Sequence, residues 1–458
     1  MSSSSAEHRP PNTSLKKSAS STQFVSAPRP ERTELPASPE IISALDVLIL
    51  FLAKWFLLVD AGNGLLLKLA GLTLPLSAVY KSALLGLLLL ALFRQQVRTV
   101  VWPLAVLLLL LPGPLYSLWL TGNQAGFVYD AGMMLKLISP LLAALYFFDL
   151  TRRAPAFAGR ALHQVFLFSL VILLLNLLAG RLGFGFEAYL PNDYLPDLNL
   201  GTKGFFKATN ELSALLLLLS GYLLACYWPK DKFKFVLVSA VSLFCASSML
   251  TKTGIGGVLL LMIFIPLLQE KARWQAYRTP LLLGTVTLML CALVLLWQLP
   301  LLLSTLGIGQ KLQLVYQQQG LLGVLLSSRD LYVLENWQLS ASYFSDWHRL
   351  AGIGVTGLEL YTSKSLAEID PADLVIWYGM VGLAFFLLWF AALFRLSFDS
   401  YRRAPTSVAA GVLVINLLLL LVACLAGHTL TSGMLWIPWG MLNGAWLLWQ
   451  SRPQEVSA

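Results

Sequence analysis

Long apolar segments follow one another along most of the chain, separated by short polar connections. A helix of about 20 consecutive apolar residues crosses about 30 Å of hydrocarbon, so each segment is long enough to cross, or nearly cross, a membrane. Twelve such spans are predicted, at residues 42–59, 77–93, 99–120, 129–148, 161–180, 208–228, 235–250, 255–269, 279–299, 373–396, 406–425 and 432–450. The sequence therefore predicts an all-α polytopic membrane protein.

The composition agrees with a single membrane-embedded domain. Of the 458 residues, 57% are hydrophobic and 12% are charged, whereas about a quarter of the residues in soluble domains are charged. We predict a disordered cytoplasmic tail over residues 1–40, a transmembrane domain over 41–450 and a short cytoplasmic tail over 451–458. No apolar segment begins near Met1, so no cleavable signal peptide is expected. The four cysteines lie in apolar segments without CxxC spacing, which indicates buried thiols and neither a disulfide nor a zinc site.

Basic residues are concentrated in alternate connections between the spans. The five successive loops concerned carry Arg94 and Arg98; Arg152, Arg153 and Arg160; Lys230, Lys232 and Lys234; Lys271, Arg273 and Arg278; and Arg395, Arg402 and Arg403. The positive-inside rule places these loops, and with them both termini, in the cytoplasm. The net charge of +9 follows from this topology, so no nucleic-acid partner is expected.

One large loop on the opposite, periplasmic face separates the ninth and tenth spans, over residues 300–372. Many charged residues crowd it and the start of the next span, among them Arg329, Asp330, Glu335, Asp346, Arg349, Glu359, Glu368, Asp370 and Asp373, together with His348, which suggests that the chemistry takes place there. Arg329, in Ser327-Ser328-Arg329-Asp330, follows an apolar run and precedes an aromatic-rich one. That setting favours an interfacial helix that holds Arg329 over a cavity, and the alternative is an ordinary surface charge.

Two shorter segments on the same face carry lysines at predicted helix starts. In Gly201–Ser213, Lys203 and Lys207 precede Asn210, and a helix N-terminus with two ammonium groups suits phosphate. The alternative is that Asn210 only caps its helix. In Thr251–Gly254, Lys252 either joins the same site or extends its side chain to the interface.

The segment before the tenth span carries carboxylates. Glycines at 352, 354 and 357 indicate a tight backbone path, and Glu368, Asp370 and Asp373 follow. Pro371 suits a first helical turn, which makes Asp370 a natural N-cap, and a crowded carboxylate also suits a general base. His348, beside Arg349, and His428, in the loop Ala426–Gly433, are alternative bases.

These segments, in this order and on this face, resemble the superfamily of O-antigen ligases and Wzy-like polysaccharide polymerases over about residues 40–450. The matching positions are Gly204-Phe205-Phe206 with Asn210-Glu211, Thr251-Lys252-Thr253, Ser327-Ser328-Arg329, Gly352-Ile353-Gly354, Glu368-Ile369-Asp370, and Tyr378-Gly379 with Gly382. Members of the superfamily have about twelve spans and one large periplasmic loop between the ninth and tenth. Ligases usually have a His-Asn type motif where this chain has Glu368-Ile369-Asp370, so the resemblance favours a polymerase.

The resemblance implies a fold similar to the GT-C glycosyltransferases and a metal-independent reaction without cofactors in the bacterial inner membrane. The implied substrates are polyprenyl-pyrophosphate-linked glycans, as donor and acceptor, and the implied products are O-antigen, capsule or exopolysaccharide. A flippase and a chain-length regulator are the implied partners. An O-antigen ligase that transfers glycan to a lipid or protein is an alternative. A lipid-linked oligosaccharide or solute transporter is another, although the sequence has few ionisable residues in mid-span, chiefly Lys54, Lys81 and Lys136.

Such a reaction requires an anion site for the donor pyrophosphate and a base for the acceptor hydroxyl. We assign Arg329 to the pyrophosphate, because its planar fork makes bidentate phosphate contacts. The basic residues expected in the same pocket are Lys203, Lys207, Lys252 and Arg349, with Asn210 and Asp373 as further substrate-binding residues. Asp370 is the predicted general base, and Glu368, Asp373 and His348 are alternatives.

Overall fold

A computed structural model of the protein describes residues 42–95, 97–189, 200–269, 326–343, 345–362, 364–404 and 407–449, together with Tyr316, Gln317, Gly320 and Gly323. All of them belong to one unit, Ile41–Ala458. Several predicted features lie outside the described residues: the tail 1–40, the basic loop with Lys271, Arg273 and Arg278, the ninth span 279–299, the beginning of the loop 300–372, and the tail 451–458.

Fifteen α-helices are observed in the described part of the chain, and they are numbered here in chain order. They are α1 Ala44–Ala70, α2 Leu76–Gln95, α3 Val97–Leu110, α4 Pro112–Thr121, α5 Gln124–Arg153, α6 Pro155–Arg181, α7 Thr209–Tyr227, α8 Lys232–Met249, α9 Lys252–Gln269, α10 Arg329–Tyr343, α11 Trp347–Ala351, α12 Val355–Leu358, α13 Asp370–Arg403, α14 Ser407–Leu425 and α15 Trp436–Gly444. A 3-10 helix, Ala445–Trp449, follows α15.

Nine helical segments in the described ranges are long and apolar enough to cross a membrane. They are α2, α3 with α4, α5, α6, α7, α8, α9, α13 and α14, and they coincide with nine of the predicted spans. The protein is therefore a helical, multi-pass membrane protein, as predicted. The first predicted span, 42–59, falls within α1, which is a helix of 27 residues but is not among the nine.

The last predicted span, 432–450, is not a single helix of that length. The chain forms the nine-residue helix α15 and then the five-residue 3-10 helix. Ser432 accepts hydrogen bonds from the backbone N–H groups of Met434 and Leu435, which keeps the chain in a turn until Trp436. Every residue of α15 is buried, and the helix packs against α5.

Two short strands depart from the all-helical prediction. They are β1, Phe186–Tyr189, and β2, Leu200–Gly204, and they pair antiparallel between α6 and α7. Phe186 lies opposite Gly204, and Glu187 lies opposite Thr202. The pair packs on the ends of α6 and α8 and leads the chain into the first turn of α7.

Helix α7 occupies the centre of the packing. Its residues from Leu212 to Ala225 are all buried, and it contacts α6, α8, α9 and α14. Close approach of helices requires small residues here, since a Cβ on Gly221 would lie 2.5 Å from a side-chain carbon of Ile415. This packing gathers the first turns of α7 and α9 and the last turn of α14 into one region.

Helix α13 is interrupted near its start. Gly379 has φ 61° and ψ −153°, which is not a helical conformation. Before the kink, the carbonyl of Ile376 accepts from the N–H of Ile353, and that of Trp377 accepts from the N–H of Gly354. These bonds fasten the segment after α11 to the first turns of α13.

Candidate functional site

The described residues enclose an open cavity of about 880 Å³ on the face that carries the predicted site segments. Its wall is formed by α5, α7, α9, α10 and α14 together with the chain before α13 and α15. One part is polar, and the other is lined by Leu217, Gly256, Gly257, Leu260, Leu418, Leu421 and Val422. The cavity is therefore amphiphilic along its length.

Arg329 reaches the cavity from the first residue of α10. Its Nε and Nη2 both donate to Oε2 of Glu368, at 3.1 and 2.7 Å, and its Nη1 donates to the backbone carbonyl of Leu425 at 3.3 Å. Leu425 ends α14, so the guanidinium lies at a helix C-terminus, where a positive charge is favoured. The side chain is 15% exposed. The structure thus brings together Arg329 and Glu368, as predicted.

Glu368 is held by three other segments of the chain. Its Oε2 also accepts from Nδ2 of Asn210, in the first turn of α7, at 3.3 Å. Its own backbone has φ 62°, and its N–H donates to Oδ2 of Asp373 at 3.0 Å. The other oxygen of Asp373 accepts from the N–H of Ala367 at 2.9 Å. Asp373 therefore shapes the loop before α13, and it does not line the cavity as a substrate-binding residue.

Lys207 and Lys252 line the same cavity, as the sequence predicts. Lys252 is the first residue of α9, and the turn before it is fixed by Thr251, whose hydroxyl lies 2.6 Å from that of Ser213 and accepts from the N–H of Gly254. Lys207 lies just before α7, where Ala208 is the N-cap residue and no side chain caps the helix. The capping alternative for Asn210 is therefore wrong, and its amide is directed to Glu368.

Lys203, His348 and Arg349 do not line the cavity. Lys203 lies in β2, where partial burial lowers the pKa of its ammonium group. His348 packs on Tyr116 with ring centroids 4.1 Å apart, and the exposed Arg349 pairs with Asp346 at 3.4 Å. The predicted membership of these three residues in one site was based on sequence order, but the strands and the short helix α11 direct them elsewhere.

Asp370 has a different role from the predicted N-cap. It is the first residue of α13, Ile369 is the N-cap residue, and no side chain caps this end of the helix. The Asp370 carboxylate accepts from three consecutive backbone N–H groups, those of His428, Thr429 and Leu430. The residue is only 3% exposed and does not line the cavity. Asp370 therefore fixes the loop before α15, and its oxygens face that loop.

Residues outside the predicted site set also line the cavity. Tyr129 and Lys136 come from α5, Glu211 from α7, and Thr431 from the loop before α15, which also brings His428, one of the alternative bases predicted from the sequence, into the lining. Glu211 accepts a 2.5 Å hydrogen bond from the hydroxyl of Ser432. A lone charge inside an apolar span was a usable signal for Lys136, whereas Tyr129 has no signal that separates it from a packing residue.

Backbone strain is concentrated around the cavity. Five described residues other than glycine have positive φ angles: Leu250, Ser327, Ser328, Glu368 and His428. Each one either lines the cavity or directly precedes a residue that does. Such conformations are unfavourable for L-amino acids and cluster at functional sites, where the surrounding structure enforces them.

The arrangement suits an amphiphilic anion. Among the described lining residues, four are basic (Lys136, Lys207, Lys252 and Arg329) and two are acidic (Glu211 and Glu368). Basic groups that line a cavity with low-dielectric walls focus the field on an anionic ligand. The adjoining apolar wall can accept a hydrocarbon chain. No group of three His, Cys, Asp or Glu side chains that could hold a metal ion is found in the part of the chain that the structure describes.

Comparison with models of known protein families gives no match to this sequence, and comparison with curated proteins gives none.

Proposed function

We propose that the protein is a glycosyltransferase that extends polyprenyl-pyrophosphate-linked oligosaccharides into a surface polysaccharide. The observation that carries the proposal is the joining of a cationic pocket and an apolar wall in one cavity at the ends of membrane-spanning helices. A lipid pyrophosphate has the same two parts. We further propose that the site faces the periplasm, because the basic loops lie at the other ends of the spans.

Arg329, Lys207 and Lys252 would act on the pyrophosphate. Cleavage of the bond between the sugar and the pyrophosphate leaves negative charge on the departing oxygen, and preorganised cations that stabilise this charge accelerate the reaction. The Nη groups of an arginine can contact two phosphate oxygens at once. Glu368 and the carbonyl of Leu425 hold the Arg329 guanidinium in place before the donor binds, which limits the ordering required during the reaction.

The sugar donor already contains an activated bond, so the reaction needs no nucleotide. The sequence has no GxxxxGK[ST] motif at a useful position, in agreement with that requirement. A transporter would place its ionisable groups along a pathway through the spans. In this protein, Arg329, Glu368, Lys207 and Lys252 lie at or just before the starts of helices on one face, whereas of the described basic residues in the lining Lys136 alone lies well inside a span, and this distribution favours an enzyme.

The test uses lipid-linked oligosaccharides extracted from a strain that lacks this protein and accumulates its substrate. The purified protein in lipid nanodiscs is expected to convert them into a ladder of longer lipid-linked glycans. Arg329→Ala should yield no ladder, and Arg349→Ala should yield a normal one. Transfer of a single glycan to an added lipid acceptor, without a ladder, would instead indicate a ligase. Absence of both products with the wild-type protein would contradict the proposal.

A further inference from the structure

We infer that His428 is the general base of the transfer, and that Asp370 is a positioning residue that acts through it. This inference rests on the proposed function and adds to it the residue that takes the proton of the acceptor hydroxyl. The base comes from the loop between α14 and α15, and not from the charged segment before α13 that the sequence favoured.

His428 lines the cavity in a strained backbone conformation. Its φ is 60°, a left-handed value that few residues other than glycine adopt. A residue remains in such a conformation only where its surroundings over-determine it. Within the described loop the strain falls on the residue whose side chain is an imidazole, the commonest general base in enzymes, since its neighbours in the loop are Gly427, Thr429 and Leu430.

Two contacts enforce this conformation. The carboxylate of Asp370 accepts from the N–H groups of residues 428, 429 and 430, at 2.9 and 3.1 Å for the last two. On the other side, Gly427 packs so tightly that an added Cβ would lie 2.3 Å from the carbonyl carbon of Glu368. The loop is therefore held between α13 and the segment that precedes it, and the imidazole has a defined direction into the cavity.

The same loop is joined to the proposed pyrophosphate site. Arg329 donates to the carbonyl of Leu425, three residues before His428, and forms an ion pair with Glu368, whose backbone Gly427 contacts. The cation for the leaving group and the base for the nucleophile are thus attached to neighbouring points of one rigid loop. This arrangement suits a displacement in which the cation stabilises the leaving pyrophosphate while the base takes the proton of the attacking hydroxyl.

Each of the other predicted bases is either held by another group or lies outside the cavity. The Oε2 atom of Glu368 accepts two hydrogen bonds from Arg329 and one from Asn210. Asp370 is buried, with its oxygens directed to the loop backbone. His348 does not line the cavity. Among the described histidines, His428 is the one that lines the cavity.

The proposed step transfers the glycan from the lipid pyrophosphate to the acceptor hydroxyl. The acceptor hydroxyl oxygen attacks the anomeric carbon of the donor sugar and forms the new glycosidic bond. The bond from that carbon to the pyrophosphate oxygen breaks, and its electron pair leaves with the lipid pyrophosphate. The hydroxyl proton moves to the unprotonated ring nitrogen of His428 and later passes to water.

The first test compares His428→Asn with His348→Asn as the matched control. Asn tolerates left-handed backbone, so the loop should keep its shape while the base is lost. Loss of a general base lowers turnover by roughly 10²–10⁴-fold. We expect that loss for His428→Asn with unchanged binding of the lipid-linked donor, and near-normal turnover for the control. Near-normal turnover of His428→Asn, or loss of donor binding together with turnover, would overturn the inference.

Chemical rescue separates a base from a residue that only shapes the loop. Glycine adopts the left-handed conformation without strain, so His428→Gly should keep the backbone and leave room for a small molecule. Added imidazole should restore turnover, and substituted imidazoles of higher basicity should restore more. Absence of rescue in a variant that still binds donor would overturn the assignment of His428 as the base.

Asp370 is tested in combination with His428. If it acts by positioning the imidazole, Asp370→Asn lowers turnover in the wild-type background but adds little in the His428→Asn background, because effects of residues that act as a unit are not additive. Independent, multiplying losses would overturn its positioning role. If the wild-type protein extends no donor, the proposed function fails and this inference fails with it. If the wild-type and His428→Asn proteins extend donor equally, only this inference fails.

Discussion

Arg329 places two of its nitrogens on a single oxygen of Glu368, at 3.1 and 2.7 Å, while its third nitrogen donates to the last carbonyl of α14. The guanidinium is thereby oriented by a carboxylate from the chain before α13 and by a helix end. A lysine has the same charge, but its three N–H donors radiate from one nitrogen and cannot reproduce the planar fork that reaches both partners in this geometry.

Arg329→Lys is therefore expected to impair polymerisation although it preserves the charge. Hydrogen bonds to charged groups contribute about 1.5–3 kcal/mol each, so loss of one or more in the transition state lowers turnover roughly ten- to hundredfold. Ladder formation by the purified variant is the measurement. Arg349→Lys is the control, since Arg349 is exposed and pairs with Asp346 outside the cavity. Equal ladders from both variants would rule out a role for the planar fork.

Gly256→Trp should block the apolar part of the cavity. Gly256 lines the cavity, and a Cβ at this position meets no atom within 4 Å, so the indole enters the space proposed for the lipid chain. Turnover of full-length polyprenyl donors should fall roughly tenfold or more, as for a loss of about 1.4 kcal/mol. Gly86→Trp is the control, because Gly86 is equally open but lies on α2, outside the cavity. An unaffected Gly256→Trp enzyme would show that the lipid lies elsewhere.

Gly379→Ala should destabilise the protein. The kink places Gly379 at φ 61° and ψ −153°, and an added Cβ would lie 2.2 Å from the carbonyl oxygen of Leu350. Backbone strain of this kind contributes about 1–3 kcal/mol before any clash is counted. We expect a lower thermal unfolding midpoint in detergent. Gly132→Ala, in an open position of α5, should be neutral or stabilising, because alanine favours helix by about 1 kcal/mol.

The ion pair between Asp60 and Lys81 should stabilise the fold, because each buried charge compensates the other. Their oxygen and nitrogen are 2.6 Å apart, the side chains are 6% and 15% exposed, and Ser77 also donates to Asp60. Removing one partner of a buried ion pair typically costs about 3–5 kcal/mol, because a charge is left uncompensated. The Asp60→Leu variant should thus have a lower thermal unfolding midpoint than the wild-type protein. The double variant Asp60→Leu with Lys81→Leu should recover much of that decrease. Additive losses would contradict this account.

Cysteine labelling in intact cells tests the orientation. Ala341 is exposed on α10, and Lys230 is exposed in the turn between α7 and α8, which carries the basic residues. A membrane-impermeant maleimide should label Ala341→Cys and spare Lys230→Cys until the membrane is permeabilised. The reverse pattern would place the cavity on the cytoplasmic face and exclude a periplasmic reaction.

The hydropathy pattern predicts the positions of most helices, but it does not predict the directions of polar side chains. Hydrophobic length alone identified nine spans, because a bilayer imposes one length scale on every helix. It failed at 432–450, where a hydroxyl from Ser432 holds a turn within an apolar sequence. Hydropathy contains no information about such a local hydrogen bond.

In the candidate site, too, the sequence predicted which residues are present but not all of their contacts. Lys207, Asn210, Lys252, Arg329 and Glu368 were identified from their place at segment ends, and the structure gathers them in one cavity. Asp370 was misread because its carboxylate is directed to the backbone of residues 428–430, which are far away in sequence. Asp130 likewise accepts from the N–H groups of Val355 and Thr356 at 3.1 Å, a contact no local pattern predicts. Non-local contacts between polar groups cannot be read from spacing.

The kink at Gly379 lets the first turns of α13 hydrogen-bond to a segment outside the helix. In an uninterrupted helix the carbonyls of Ile376 and Trp377 would serve the N–H groups four residues further on. Here they accept from the N–H groups of Ile353 and Gly354, in the loop that precedes the helix. A straight α13 would need the same two oxygens for its own hydrogen bonds, so straightening the helix would release the loop, and holding the loop keeps the helix bent. Any rearrangement of this loop would therefore be coupled to a change in the bend of a single helix.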